Sequence, residues 1–464
     1  MNSPLPGRGS SLIVFLLVLF CGVFLRFHAL DRQSLWKNEL STMEIVAAPG
    51  DAFMGRIAAF EINPPLYFLQ LRLWASLGLR SLVKLRANSA FWGSLALWLA
   101  YLAGKRHGGE PLGLLTLAWL ALSPYHLAHS QDLRPYAMAV ALGLAAYLAL
   151  ERRSWIGLGA LWMALLYTQY AGIFVIAAQA LYAALRAPSP AERKTVALTL
   201  AAAVGGFLLW LPTLMTQIRI THAGFAGAPA FSVANLAKAF LPLSGLIFNM
   251  GSSVFYLPAR VWVLVLSGFL TAAAFSLGLK RGPRAAMAWV GAGLLLPWLF
   301  SYANPALFVW YAYPILLLPA FALLTADGLL AWRPRLLSLF LILTCLGSEV
   351  WGDWTYFNGW QKANIKSVAQ YVHHVRQKTS LVVRPKNVGD LFNFYDQGTT
   401  ATLDAELFDT PAKRAALKGH AVILLAYDIP ADPITDALLQ ERPPTSARYF
   451  PGTAHRGITV YELK

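Results

Sequence analysis

The feature that most constrains this chain is the alternation of apolar stretches with short basic connections. About eleven apolar stretches follow one another, and nearly every second connection between them carries Lys or Arg. Because cationic side chains resist translocation, the basic connections are predicted to face the cytoplasm and the others to face outward. The pattern predicts an α-helical polytopic membrane protein. The basic connections contain Lys105-Arg106, Arg152-Arg153, Arg193-Lys194, Lys280-Arg281 with Arg284, and Arg333 with Arg335.

The composition agrees with a membrane protein and excludes an ordinary soluble one. Of the 464 residues, 57% are hydrophobic, only 13% are charged and 16 are Trp. The net charge of +16 lies largely in the short basic connections, which are predicted to face the cytoplasm. That placement accounts for the charge, so no nucleic-acid partner is expected. Cys21 and Cys345 each lie inside an apolar stretch, which indicates neither a disulfide nor a thiolate metal site.

The predicted membrane plan has about eleven spans, with the N-terminus in the cytoplasm. The first span, at 11–27, has no small-residue cleavage site after it and is predicted to be a retained anchor. The apolar segment 65–79 contains Arg72, and counting it as a span would invert every later connection, so it is predicted to lie on the outer surface. Residues 53–60 are predicted to form a second surface helix. The other spans are predicted near 88–104, 111–127, 136–150, 154–168, 170–185, 196–214, 259–279, 285–301, 309–330 and 336–352.

The composition changes sharply after the last predicted span. Periodicity predicts an amphipathic helix at 362–377 and strands at 380–383, 421–425 and 458–463, which is a small α/β domain. The number of spans places this domain outside the cytoplasm. The predicted organisation is a membrane domain at 1–352, with outer loops at 28–87 and 215–258, and an extracytoplasmic α/β domain at 353–464.

Three outward segments, at 31–42, 61–67 and 123–136, carry the polar residues that could form an active site. A carboxylate at the membrane surface can act as general base toward an acceptor hydroxyl. An arginine can stabilise charge on a departing phosphate, because its planar fork engages two phosphate oxygens at once. These residue types in one compartment therefore indicate transfer chemistry with a lipid-linked phosphate.

Each of these side chains also has a purely structural interpretation, which the sequence leaves open. Glu39 alone fits a solvated acid in a polar loop, and Asp132 with Arg134 fits a local ion pair that seats the loop. His126 and His129 fit either a metal site or interfacial hydrogen bonds. The shared compartment of the three segments is what favours the functional interpretation.

Three motifs in the same order resemble the GT-C fold glycosyltransferases of the protein-mannosyltransferase and aminoarabinose-transferase group. Such proteins typically show a Leu-Trp-x-Asp-Glu-like first outer loop, a His-Pro-Pro-Leu-Tyr-like element and a Ser-Gln-Glu-x-Arg-x-Tyr-like segment. The corresponding motifs here are Leu35-Trp36-Lys37-Asn38-Glu39, Asn63-Pro64-Pro65-Leu66-Tyr67 and Ser130-Gln131-Asp132-Leu133-Arg134-Pro135-Tyr136. The number of predicted spans and the outer C-terminal domain extend the resemblance over most of the chain.

The resemblance implies an inverting transfer of a sugar from a polyprenyl-phosphate donor to an envelope lipid, glycan or protein. The reaction would take place on the outer side of the bacterial inner membrane. It implies Glu39 as general base or partner of the base, beside Asn38, with Asp132 positioning the base or the acceptor and Arg134 binding the lipid phosphate. The other substrate-binding residues that we expect are Tyr136, Asn63, Arg86, Gln131, Tyr67 and Tyr311.

Two departures from the family pattern define an alternative function. Asn38 stands where the family usually has Asp, and an amide cannot act as base, so Glu39, Glu61 or Asp132 would have to do so. Asn63 stands where the family often has His or a metal-binding acid, which leaves open whether a divalent metal is used. The alternative is an inactive relative that binds a polyprenyl-linked glycan or scaffolds envelope assembly. A transporter is less favoured, because few charges lie within the predicted spans.

Overall fold

The computed structural model describes residues 8–224, 243, 261–303, 313–360, 362–375, 380–397, 402–417, 422–427, 432–452 and 457–463. The chain forms two compact units. The described residues of 1–30, 42–248 and 256–355 make up the helical unit, and those of 31–41 and 356–464 make up the C-terminal unit.

The helical unit consists of α-helices joined mostly by short connections. In chain order, the helices up to the first gap are α1 (Arg8–Phe27), α2 (Lys37–Ala47, which begins in the C-terminal unit), α3 (Gly50–Phe60), α4 (Leu66–Ser76), α5 (Leu82–Leu122), α6 (Pro124–Gln131), α7 (Tyr136–Glu151), α8 (Trp155–Leu166), α9 (Gly172–Arg186), α10 (Pro190–Phe207) and α11 (Leu211–Gly224). The later helices are α12 (Val261–Arg281), α13 (Arg284–Ala303), α14 (Leu318–Ala331) and α15 (Arg335–Asn358).

Helices occupy each predicted span within the described residues, but the predicted number of about eleven spans is not confirmed. By length and composition alone, two helices in the described part of the chain could cross a membrane, Pro190–Arg219 and Arg335–Asn358. A third is counted if the bent pair Pro124–Gln131 and Tyr136–Glu151, at 117°, forms one span. Shorter apolar helices are Ser11–Phe27, Trp155–Leu166, Gly172–Arg186, Arg284–Leu299 and Leu318–Ala331.

The two predicted surface helices are present as α3 and α4, each 11 residues long. At a rise of about 1.5 Å per residue, the length of such a helix is roughly half the thickness of the hydrocarbon core of a membrane. Neither can therefore cross it alone. Their place on the outer surface stays a prediction. The outer loop predicted at 215–258 falls largely outside the described residues.

The longest helix, α5, joins two predicted spans and bends between them. Gly108 and Gly109 have non-helical backbone angles, and Gly109 has φ +72°, which glycine adopts without a steric penalty. The second arm ends at Leu122 and not at the predicted residue 127, because Pro124 begins the separate helix α6.

Helices α12 and α14 approach each other closely at two glycines. A Cβ atom at Gly278 would collide with the backbone of Leu324, and one at Gly328 would collide with the carbonyl group of Ala274. Small residues at helix crossings are typical of membrane helix pairs, because close backbones gain van der Waals contact without a hydrophobic driving force.

The C-terminal unit contains a five-stranded sheet in the order β2-β1-β3-β5-β4. Strand β1 pairs in parallel with β2 and β3, whereas β5 is antiparallel to β3 and β4. The predicted amphipathic helix and three strands are confirmed, with the helix beginning at Ile365 and not at 362; two strands and three helices were not predicted. The elements are α16 (Ile365–Val375), β1 (Ser380–Arg384), α17 (Lys386–Asp396), β2 (Thr402–Asp404), α18 (Pro411–Arg414), β3 (Val422–Tyr427), α19 (Pro433–Glu441), β4 (Pro444–Phe450) and β5 (Ile458–Leu463).

Candidate active site

Glu39 lies in the first turn of α2, in the part of that helix that belongs to the C-terminal unit, and is fully buried. Its Oε2 atom is 2.8 Å from Nζ of Lys362, a residue that is itself only 9% exposed. The first turn of a helix favours negative charge, because its N–H groups point toward the side chains there. A buried carboxylate needs such partners, since an unpaired one would carry the full cost of desolvation.

Asn38 precedes Glu39 in α2 but is half-buried, whereas Glu39 is wholly buried. Successive side chains on a helix point in directions about 100° apart, because a turn has about 3.6 residues. The amide therefore occupies the more accessible of the two positions, and the carboxylate faces Lys362.

In the helical unit, Glu61 and Arg134 form a second buried ion pair. Nη1 of Arg134 donates to Oε2 of Glu61 at 2.6 Å, and Nη2 donates to Oε1 at 2.9 Å. Glu61 is 6% exposed and Arg134 is 2% exposed. Oε1 of Glu61 also accepts from Nδ2 of Asn63 and from the backbone N–H of Ile62, both at 2.9 Å. Nη1 of Arg134 donates to Oγ1 of Thr42 at 3.3 Å.

These contacts shift the pKa of both members of the pair. Burial disfavours the charged form of Glu61, but the charge of Arg134 and the hydrogen bonds from Arg134, Ile62 and Asn63 outweigh burial and hold the pKa of Glu61 below its usual value. Burial likewise opposes the charge of Arg134, but the charge and hydrogen bonds of Glu61 raise the pKa of Arg134. Both groups are therefore ionised at neutral pH.

The other predicted binding residues of the helical unit are buried as well. Nε2 of Gln131 donates to the carbonyl groups of Leu25, Arg26 and His28, at 3.0, 3.2 and 2.8 Å, and so holds the end of α1. Nη1 of Arg86 donates to the carbonyl group of Leu30 at 2.7 Å.

Tyr67, Tyr136 and Asp132 are three more of the predicted site residues that the structure describes. The hydroxyl group of Tyr67 is 3.2 Å from Oγ of Ser89. Tyr136 begins α7, and Asp132 is 1% exposed where α6 ends. The remaining predicted residue, Tyr311, lies outside the described residues.

The two histidines of the third motif contact other side chains of the helical unit. Nδ1 of His126 is 2.7 Å from Nη2 of Arg26, so Nδ1 accepts the hydrogen bond. The ring of His129 packs edge-on against Tyr136, with centroids 4.7 Å apart, and against Tyr125 at 5.0 Å. Across the described part of the chain, no group of three or more His, Cys, Asp or Glu side chains could hold a metal ion.

The sequence did not reveal the partners of Glu39 and Glu61. Lys362 lies 323 residues after Glu39, and Arg134 lies 73 residues after Glu61, so no local pattern links the members of either pair. The sequence offered a local ion pair of Asp132 with Arg134 only as an alternative to a catalytic role, and it gave no indication of Glu61 as the partner of Arg134. The short carboxylate contacts of Arg134 described above are with Glu61.

The chain is similar in fold to solved structures, but it matches no protein family by sequence. No family model matches the chain, and no curated protein matches it. ArnT from Cupriavidus metallidurans bound to undecaprenyl phosphate is 13% identical with a TM-score of 0.55, over 98% of each chain. The apo state of the same ArnT gives 14% identity and a TM-score of 0.54, over 97% of this chain and 98% of that chain.

A third solved structure extends the similarity to another glycosyltransferase. The Archaeoglobus fulgidus oligosaccharyltransferase, tethered with an acceptor peptide containing the NVT sequon, is 12% identical with a TM-score of 0.50. The match covers 88% of this chain and 64% of that chain. At such identities the similarity concerns the fold alone. The chain therefore has the GT-C fold of membrane glycosyltransferases, as its three motifs predicted.

Proposed function

We propose that this protein is an inverting glycosyltransferase of the bacterial inner membrane. It transfers a sugar from a polyprenyl-phosphate donor to an envelope lipid, glycan or protein on the outer side. The observation that carries the proposal is the match over 98% of both chains to ArnT, which was solved with undecaprenyl phosphate bound. Three motifs of acids, amides and arginine in the order typical of that fold support it.

The reaction needs a base, an acceptor hydroxyl and a stabilised leaving group. The acceptor oxygen attacks the anomeric carbon from the face opposite the phosphate, and the new C–O bond forms as the bond to the phosphate oxygen breaks. The electron pair of the broken bond leaves with polyprenyl phosphate, and the hydroxyl proton passes to a carboxylate. In this proposal Glu39 is that carboxylate, because the neighbouring Asn38 cannot take a proton at neutral pH.

Asp132 is proposed to position the acceptor or the base, and Arg134 to bind the phosphate of the donor. A guanidinium group suits a phosphate because two parallel N–H groups meet two oxygens. The fork of Arg134 is occupied by Glu61 in this structure, so the donor phosphate would have to compete with or share this carboxylate. Asn63, Arg86, Gln131, Tyr67, Tyr136 and Tyr311 are proposed to support substrate binding.

The inactive relative remains the second candidate because of two observations. Asn38 replaces the usual acid at the more accessible position, and both Glu39 and Glu61 are engaged in buried ion pairs. A protein with these contacts could bind a polyprenyl-linked glycan, or scaffold envelope assembly, without transferring sugar.

Mass spectrometry of envelope lipids and glycans from cells with and without the protein separates the two candidates. The transferase predicts that cells without it lose a sugar-sized mass from an envelope component and accumulate the matching polyprenyl-phosphate sugar. Cells that complement the loss with a Glu39→Gln variant should keep both defects. Unchanged envelope components and donor lipids would instead favour the binding protein.

A further inference from the structure

Lys362 is a buried lysine of the C-terminal unit that pairs with Glu39 in the first turn of α2. Its Nζ atom lies 2.8 Å from Oε2 of Glu39 and 5.6 Å from the centre of the Trp36 ring. An ammonium group over an aromatic face gains a cation–π interaction, which is stronger where water is excluded. The carboxylate and the ring together thus hold the ammonium group of Lys362 in one place.

The segment that leads into α2, and so to Glu39, is also bound to the C-terminal unit by uncharged groups. Nε2 of Gln33 donates to the carbonyl groups of Tyr356 and Gly359, at 3.2 and 3.1 Å. The backbone N–H of Leu35 donates to the hydroxyl group of Tyr395 at 2.7 Å. Because these bonds fix the loop on the side of Glu39 toward the N-terminus, the distance from Glu39 to Lys362 does not depend on the ion pair alone.

We propose that Lys362 is a positioning residue that holds the buried Glu39 carboxylate ionised and in one orientation for the transfer reaction. The inference rests on the proposed function, in which Glu39 is the base. A wholly buried carboxylate without a counter-ion takes up a proton more readily and is then no base. An arrangement that fixes the carboxylate also removes the cost of orienting it when the acceptor arrives. Lys362 therefore acts through Glu39.

The test is a double-mutant cycle in a reconstituted transfer assay, with rates normalised to folded, inserted protein. Lys362→Met is expected to lower kcat roughly tenfold or more, but by no more than Glu39→Gln, because a lost base costs about 10²–10⁴-fold. KM for the donor should change much less, because the interaction serves the chemical step. In a Glu39→Gln background, Lys362→Met should cause little further loss, because residues that act as a unit are not additive.

Two further variants distinguish a positioning role from a structural one. Lys362→Arg keeps the charge and is expected to recover much of the lost kcat even where Lys362→Met folds poorly. Lys366→Met is the matched control, because Lys366 is a neighbouring lysine whose side chain is 39% exposed and lies 3.5 Å from Asp31. It should leave kcat within about twofold of the parent, since exposed ion pairs contribute little.

The outcomes separate this inference from the proposed function. An active parent with an unchanged kcat in folded Lys362→Met would overturn the positioning role and leave the transferase intact. An equal proportional loss from Lys362→Met in the parent and in the Glu39→Gln background would overturn it as well, because the two residues would then act independently. A parent that transfers no sugar from any polyprenyl-phosphate donor would overturn the proposed function, and the inference with it.

Discussion

Replacing Glu61 by Gln should destabilise the helical unit strongly, because it removes the carboxylate that pairs with the buried charge of Arg134. The two hydrogen bonds between the side chains are 2.6 and 2.9 Å long, and both residues are at least nine-tenths buried. Breaking a buried pair by removing one partner costs about 3–5 kcal/mol. Gln keeps an acceptor for Asn63 and Ile62, so most of the loss would come from the guanidinium group, which loses both charged hydrogen bonds to the Glu61 carboxylate.

The double variant Glu61→Gln with Arg134→Met tests whether the loss comes from the pair. It removes both charges, and buried pairs replaced by uncharged groups of similar size cost little, so it should lose less stability than either single variant. The matched control is Glu192→Gln, because Glu192 pairs at 3.1 Å with an Arg153 side chain that is 60% exposed. The control should lose about 1 kcal/mol or less.

The free energy of unfolding can be compared by denaturant titration of the purified variants in detergent, followed by tryptophan fluorescence. A Glu61→Gln variant as stable as the Glu192→Gln control would show that the buried pair contributes no more than an exposed one. The prediction is also contradicted if the double variant loses the sum of the two single losses, because the side chains would then not be coupled.

Three further predictions concern the pH dependence of the Glu61 contribution, the base and the helix crossing at Gly328. The pKa of Glu61 is lower in the folded protein than its usual 4.5, so the contribution of Glu61 to stability is complete above about pH 4.5 and is lost as the pH falls toward its folded-state pKa. The difference in stability between the parent and Glu61→Gln, measured by thermal unfolding, should therefore shrink as the pH is lowered below about 4.5. A shrinkage on going to alkaline pH instead would contradict this. Glu39→Gln should lower the rate of transfer about 10²–10⁴-fold while donor binding, measured with labelled lipid, changes little; an unchanged rate would exclude Glu39 as the base. Gly328→Ala should destabilise the protein by roughly 1–3 kcal/mol, because a Cβ atom there meets the carbonyl group of Ala274. Gly291→Ala is the control, because a Cβ atom there has no neighbour within 4 Å among the described residues, and it should be nearly neutral in the same unfolding assay. Equal losses from the two variants would argue against close packing at Gly328.

The helices of the fold could be predicted because their apolar stretches are long and their connections carry charge or proline. The number of spans could not, because a run of apolar residues does not specify where the helix bends. The stretch at 111–127 contains a helix end at Leu122 and a new helix at Pro124, and the pair α6 and α7 turns through 117°. Such breaks depend on packing between helices as well as on local propensity.

In the C-terminal unit, β3 and β5 were predicted from apolar and alternating patterns, whereas β4 was not. Strand β4 lies at the edge of the sheet and six of its seven residues are exposed, so its sequence does not alternate between apolar and polar residues. Strand β2 has only three residues, which is too short for any pattern.

The sequence indicated which residues belong to the candidate site, but it did not indicate which of them contact one another. The motifs drew attention to Glu39, Asn63 and Arg134, but they gave no sign that Glu39 faces Lys362 or that Glu61 accepts from Arg134. These pairs depend on which distant segments the fold brings together. Lys362 lies in a segment that was predicted to begin an amphipathic helix, and nothing in the local sequence indicates that this lysine pairs with Glu39.

The central claim is tested most directly by transfer from a natural donor with the purified protein. Lipids extracted from cells that lack the protein would be incorporated into vesicles containing the parent, the Glu39→Gln variant or no protein, together with envelope acceptor from the same cells. We expect the parent to consume a polyprenyl-phosphate sugar and release polyprenyl phosphate, with a matching mass gain on the acceptor. The other two vesicle preparations should do neither. A folded parent that binds the donor lipid but leaves both masses unchanged would contradict the transferase function and identify a binding protein.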